Sequence, residues 1–277
     1  MTKEESKISL QPTGKIRIIC AGLGRTGTLS LTDALKTLGY NPYHYIDFTP
    51  KHADKWTDLA ASKGSVKDVM DVVAGDGYDA ILDNPACDVY SDILKCYPDA
   101  KVILTVRDSK EKFETSWKRL LDTMVVTEEP FKWSFPSFFQ WISTFQQLKK
   151  IRHFMGTTHL KLEPGELTHG WREKTDGWLG EQYERHNKHV IENVPSEQLL
   201  IFNVKEGWEP LCKFLQCDVP SDQKFPHSKV NDSASLQRMK KMFLVAIYGW
   251  IPAVALTTAG VFFAGRHVSR SIRSSEL

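Results

Sequence analysis

Residues 15–30 read KIRIICAGLGRTGTLS. A largely apolar run breaks into Gly22, Gly24 and Gly27 and then resumes with helical spacing, so the stretch reads as a buried strand, a tight turn and a helix start. The glycines satisfy G-x-G-x-x-G, and Asp47 stands about 20 residues further on, where a dinucleotide-binding domain keeps its ribose-binding acid. The residues between and after the glycines carry chemistry of their own. Arg25, Thr26, Thr28 and Ser30 surround Gly27, which places one cation and three hydroxyls at a helix N-terminus. Free N–H groups and the helix dipole favour an anion there, and hydroxyls and a guanidinium add ligands to the same phosphate. A nucleotide triphosphatase loop requires a Gly-Lys pair followed by a hydroxyl; here the cation precedes the glycine, which disfavours ATP chemistry.

Outward from this loop the chain alternates. IRIICAG, PYHYIDF, YDAILD, KVILTV and LLIFNV read as strands. SLTDALKTLG, residues 54–73 and residues 90–96 read as helices, and a long helical excursion covers residues 110–195. Strand and helix in alternation predict an α/β fold with a three-layer parallel sheet. Within the excursion Phe135, Phe138, Phe139, Trp141, Ile142 and Phe145 crowd together, as helix core or as one wall of an apolar acceptor cavity.

The chain has 277 residues, 41% of them apolar and 25% charged, which is ordinary for a globular protein. A formal net charge of +2 gives no basis for nucleic-acid binding, but it allows a local basic pocket for a small polyanion. Cys20, Cys87, Cys96, Cys212 and Cys217 form no C-x-x-C pair and number five, a pattern that disfavours a disulfide framework and a zinc site alike. The polar start, MTKEESKISLQPTGK, lacks the apolar segment of a secretory signal. The main domain is therefore expected in the cytosol.

The far end changes character. Met242 to Ala264 carries no charge, is preceded by Arg238, Lys240 and Lys241, and is followed by Arg266, Arg270 and Arg273. Its length suits a bilayer span of about 20 residues. The expected organisation is a flexible lead over 1–14, a catalytic domain over 15–232, a basic juxtamembrane segment over 233–241, a single membrane-spanning tail anchor over 242–264 and a short basic tail over 265–277. The α/β domain would then face the cytosol.

GLGRTGTLSL after its strand resembles the 5′-phosphosulfate-binding loop of sulfotransferases. YDAILDNPACDVYSDILKCYPDAKVILTVRDS and YERHNKHVIENVPSEQLLIFNVKEGWEPLCKFLQCDVPSDQKFPHSKVND resemble two later blocks of the P-loop sulfotransferase-like family, in its branch found in fungi and invertebrates and often labelled epimerase or dehydratase. The resemblance covers roughly Lys15 to Asp232. It implies transfer of a sulfuryl group from 3′-phosphoadenosine 5′-phosphosulfate (PAPS) to a hydroxyl or amine of a small acceptor, with no metal required. It also implies that Arg25, Thr26, Gly27, Thr28, Leu29 and Ser30 hold the 5′-phosphosulfate.

The resemblance further implies that Arg107, at the end of KVILTV, and a serine in the following helix bind the 3′-phosphate; Thr115 and Ser116 are the candidates, with Ser116 preferred. For the base that takes the acceptor proton it points to Asp83 at the end of YDAILD, with His44 as the rival. Asp-Asn-Pro is also good turn chemistry, so Asp83 has a purely structural reading as well. The segments Val204–Glu206 and His227–Lys229 fall where the family closes its nucleotide site. Two other functions compete: an NAD(P)-dependent epimerase or dehydrogenase, and an inactive membrane-tethered nucleotide-binding module. The first usually needs Tyr-x-x-x-Lys, a spacing met here only by Tyr97 and Lys101, where Lys101 opens the strand KVILTV.

Overall fold

The computed structural model describes residues 14–128, 143–228, 252, 254–262, 264 and 266. The chain divides into two compact units, Met1–Leu121 with Trp141–Lys229, and Asp122–Gln140 with Val230–Leu277.

The first unit is built on a five-stranded sheet of β1 (Ile18–Cys20), β2 (Pro42–Tyr43), β3 (Ala80–Ile81), β4 (Lys101–Thr105) and β5 (Leu199–Phe202), in the order β2-β3-β1-β4-β5. Every pairing is parallel. Its helices are α1 (Thr28–Thr37), α2 (Pro50–Ala60), α3 (Val66–Gly75), α4 (Tyr90–Cys96), α5 (Lys110–Glu128), α6 (Ser143–Phe154), α7 (Trp178–Asn193) and α8 (Trp208–Leu215), with α5 entering the second unit from Asp122 onward.

Side-chain alternation along the strands makes the layers. Ile19, Ile81, Val102 and Leu104 pack with Trp56, Met70, Ile93 and Val190 of α2, α3, α4 and α7. Ile18, Cys20, Ala80 and Ile103 point the other way, onto Leu31 and Leu35 of α1 and Leu211 of α8. Burying each such Leu or Ile side chain contributes about 1.5–3 kcal/mol. With helices on both faces of a parallel sheet, the three-layer α/β expectation holds.

Two elements depart from the sequence reading. The expected strand PYHYIDF keeps its strand form only at Pro42–Tyr43 and then turns into the 3-10 segment Tyr45–Asp47. There the Asp47 carboxylate accepts the His44 backbone N–H at 2.9 Å, which holds the chain in a turn. The expected helix over 54–73 is two helices. Ser65 ends the break with a capping box, its hydroxyl accepting the Asp68 N–H while the Asp68 carboxylate accepts the Ser65 N–H.

β1 is central, with β3 on one side and β4 on the other. The chain reaches β3 through one crossover and β4 through another, so the carboxyl end of β1 is the point where the winding reverses. Open α/β sheets bind ligands at such a point, and residues 22–30 occupy it.

In the second unit, residues 254–262 are helical, with Val254, Leu256, Val261 and Phe262 exposed. Among the described residues no helix is long and apolar enough to cross a membrane. About half of the expected span over 242–264 lies outside the described residues. So do residues 129–142, which hold most of the aromatic crowd.

Candidate active site

The loop after β1 is shaped by what surrounds it. Gly27 has φ 106°, a region open to glycine and costly for other residues, and a Cβ there would lie 2.8 Å from the methyl carbons of Val204. Gly24 is needed for another reason: its Cβ would sit 2.7 Å from Asp83 Oδ1 and 3.0 Å from Asn84 Nδ2. The turn after β3 therefore presses against the turn after β1, and α1 starts at Thr28 with its first N–H groups facing the same space.

Arg25 and Asp83 both hold left-handed backbone, φ 73° and 68°. Non-glycine residues there cost of order 1–3 kcal/mol and cluster at ligand sites. Arg25 Nε donates to Ser116 Oγ at 3.2 Å, and Arg107 Nη1 donates to the Arg25 carbonyl at 3.3 Å. Three residues selected from separate blocks of sequence thus converge. Burial, foremost, pulls the Arg25 guanidinium down to about 10; the positive charges of Arg107 and Arg119 act the same way, while Asp83 opposes them. A cluster of guanidinium charge with a carboxylate beside it is poised for a polyanion.

The two candidate phosphate-binding hydroxyls on α5 separate cleanly. Thr115 is exposed and donates to the Glu111 carbonyl of its own helix at 2.8 Å, whereas Ser116 faces Arg25. Asp108, next to Arg107 in sequence, is taken up by other residues. That carboxylate is engaged by Lys112 at 2.8 Å, Lys205 at 2.5 Å and Asn203 at 3.1 Å, contacts that hold its pKa far below the usual range, Lys112 first among them. The Arg107 backbone N–H donates to the Tyr183 hydroxyl at 2.9 Å.

The loop hydroxyls of Thr26, Thr28 and Ser30 are all buried. Thr26 is buried, donates to the Leu23 carbonyl at 2.6 Å and lies 2.5 Å from the Thr105 hydroxyl, so its side chain braces the loop against β4. Ser30 Oγ accepts the Ser228 N–H at 3.1 Å, and the Ser228 hydroxyl donates to Asp33 at 2.5 Å. The segment before Lys229 is thereby clasped to the first turns of α1, with Lys229 itself outside the described residues. Leu29 is half-buried within α1.

His44 and Asp83, rivals on sequence grounds, are neighbours. His44 Nε2 lies 3.2 Å from Asp83 Oδ2 and 3.3 Å from Thr28 Oγ1. A carboxylate only accepts, so the Nε2 proton belongs to this contact and the imidazole orients Asp83. Parallel pairing of Tyr43 with Ile81 brings the two strand ends side by side. Asp47 caps its own turn at His44, a structural task that accounts for it without a ribose.

Sequence reading missed three residues here. Tyr183 stacks on Phe113 with ring centroids 4.4 Å apart and reaches Arg107. Trp117 lies 3.3 Å from where a Gly24 Cβ would stand. Arg119 adds its charge near Arg25 and lies three positions beyond Ser116, a helical spacing readable in the sequence.

A family model described as "Sulfotransferase domain" matches residues 17–236. The chain is also 31% identical over 227 residues to a protein of Aspergillus versicolor named "Ava biosynthesis cluster protein M", covering 78% of this chain and 82% of that one. This chain belongs to the sulfotransferase-domain family.

Proposed function

We propose that the protein transfers a sulfuryl group from PAPS to a hydroxyl or amine of a small acceptor. The observation that carries this reading is the convergence of Arg25, Ser116 and Arg107 beside the N-terminus of α1, with Asp83 across Gly24. The 5′-phosphosulfate would take the loop N–H groups of residues 25–30 with Thr28, Ser30 and Arg25. The 3′-phosphate would take Arg107 and Ser116, with Lys205 at the same rim. When bound, PAPS supplies the activated sulfur and a stable leaving group.

Asp83, oriented by His44, accepts the proton from the acceptor O–H or N–H as that atom forms its bond to sulfur. The bond from sulfur to the bridging phosphate oxygen breaks, and its electron pair leaves with adenosine 3′,5′-bisphosphate. Arg25 neutralises charge developing on that oxygen, and preorganised stabilisation of this kind is worth about 10²–10³ in rate. A lipophilic acceptor and a cytosol-facing membrane location follow from reading 242–264 as a membrane helix. The charge-free composition of the run and the exposed Val254, Leu256, Val261 and Phe262 support that part.

Calorimetry of the full chain with adenosine 3′,5′-bisphosphate tests the donor site: saturable binding is expected, and its absence rejects the reading. Transfer of radiolabelled sulfate from PAPS into a metabolite extract would then identify the acceptor. Flotation with vesicles, compared with a chain lacking 242–264, checks the membrane part.

A further inference from the structure

Beneath the phosphate-binding loop lies a group of histidines with no part in the proposed transfer. His186 of α7 is fully buried, and its Nε2 is 2.6 Å from the carbonyl oxygen of Ala21, the residue immediately before Gly22. A carbonyl can only accept, so Nε2 carries the ring proton. Nδ1 is left as an acceptor, and His159 Nε2 meets it at 2.7 Å, which fixes the proton of His159 as well. The two short contacts take the two protons of two neutral rings. The longest contact, 3.2 Å from His159 Nδ1 to the Asp88 carbonyl, is then the one that goes without a proton.

Most of what faces the pair keeps it neutral, with only the carbonyls of Ala21 and Asp88 acting the other way. Burial comes first, pushing His186 down to about 3 and His159 to about 4, and His189, Lys161 and Arg185 place positive charge on the same side. The Asp88 carboxyl, itself fully buried, is pushed up to about 7 by that burial. Tyr90 engages His189 at 2.7 Å and leaves the other two rings to each other. A polar side chain buried this deeply and spent on one loop carbonyl has a positional consequence. Ala21 is the last residue fixed by the sheet, through its N–H to the Ile103 carbonyl, before the chain turns into the loop.

We propose that His186 is a positioning residue of the donor site, its tautomer locked by His159, and that it sets where β1 hands over to the phosphate-binding loop. This rests on the reading of that loop given above. The role is indirect, since neither ring reaches the ligand space.

Ring-nitrogen NMR of the full chain at pH 7.5 is the first test. His186 is expected with a protonated Nε2 and a bare Nδ1; the opposite tautomer or an imidazolium overturns the inference. The second is calorimetry with adenosine 3′,5′-bisphosphate. His186→Leu should weaken the nucleotide at least about tenfold, since small displacements of positioned groups have effects of this size and larger. His186→Gln, whose amide N–H reaches where the imidazole N–H did, should stay within about threefold, as should Tyr90→Phe, which breaks a hydrogen bond of the same buried group. Equal losses in all three, or none in His186→Leu, overturn it. If His186→Leu does not fold, His159→Phe takes its place, and unchanged affinity there overturns the inference. Loss of binding in Arg25→Ala with His186→Leu unaffected rejects this inference and keeps the loop reading; an unaltered protein that binds no nucleotide rejects both.

Discussion

The turns that follow β1 and β3 are alike in backbone and opposite in charge. Each carries a non-glycine residue in left-handed conformation, Arg25 in one and Asp83 in the other, and they meet across Gly24. Arg25 is held from α5 and from the end of β4, through Ser116 and Arg107, so its surroundings are cationic and suited to an anionic donor. Asp83 is held from the end of β2 through His44, and its carbonyl accepts the Cys87 N–H at 3.1 Å. Under the proposed transfer the same strained geometry serves two tasks, and the partner sets which. Strain places the group, and the neighbouring element decides its chemistry.

That comparison can be broken in four ways. Asp83→Asn keeps the shape and tolerates left-handed backbone but removes the proposed base, so turnover should fall about 10²–10⁴-fold. Nucleotide affinity by calorimetry should stay nearly unchanged, and a large loss of affinity would put Asp83 in the donor site instead. Arg25→Ala should lower transfer about 10²–10³-fold and weaken the nucleotide as well. An unchanged melting temperature alongside separates this from a folding defect.

Gly24→Ala forces a methyl against Asp83 Oδ1 and should lower turnover about 10²-fold, the scale of a 1 Å misplacement. A second change, Asp83→Gly, made in the Gly24→Ala background, should then restore melting temperature without restoring turnover. The smallest of these effects is read on stability. Asp83→Gly should stabilise the fold by about 1 kcal/mol in denaturant titration while abolishing turnover, because glycine adopts φ 68° without strain.

The alternation of buried runs made the sheet and most helices legible. Each strand in this fold is apolar on both faces, so its sequence stands out even where only two or three residues pair. The break between α2 and α3 left a signal in Ser65-x-x-Asp68 that periodicity alone passes over. In the site, Arg25, Thr28 and Ser30 were legible because they are local to one loop. The inward turn of Thr26 was not, since it depends on Thr105 from another strand. Nor was the pairing of His44 with Asp83, which lies 39 positions away and is brought close only by parallel registry. Tyr183 and His186 belong to the same class: α7 reaches the loop through tertiary packing, and no local pattern announces it.

β1 and β3 are hydrogen-bonded neighbours, so the two turns start roughly 4.8 Å apart, one strand spacing. The thiols nearby are Cys20, which burial pushes up to about 11, and Cys87, raised well above its ordinary value by the same cause. Both stay protonated and covered, so neither can carry a sulfuryl group between half-reactions. Under the proposed transfer, donor and acceptor must occupy the protein together, and initial-rate plots should intersect as for a sequential mechanism; parallel lines would require a covalent carrier that this pair of turns does not offer.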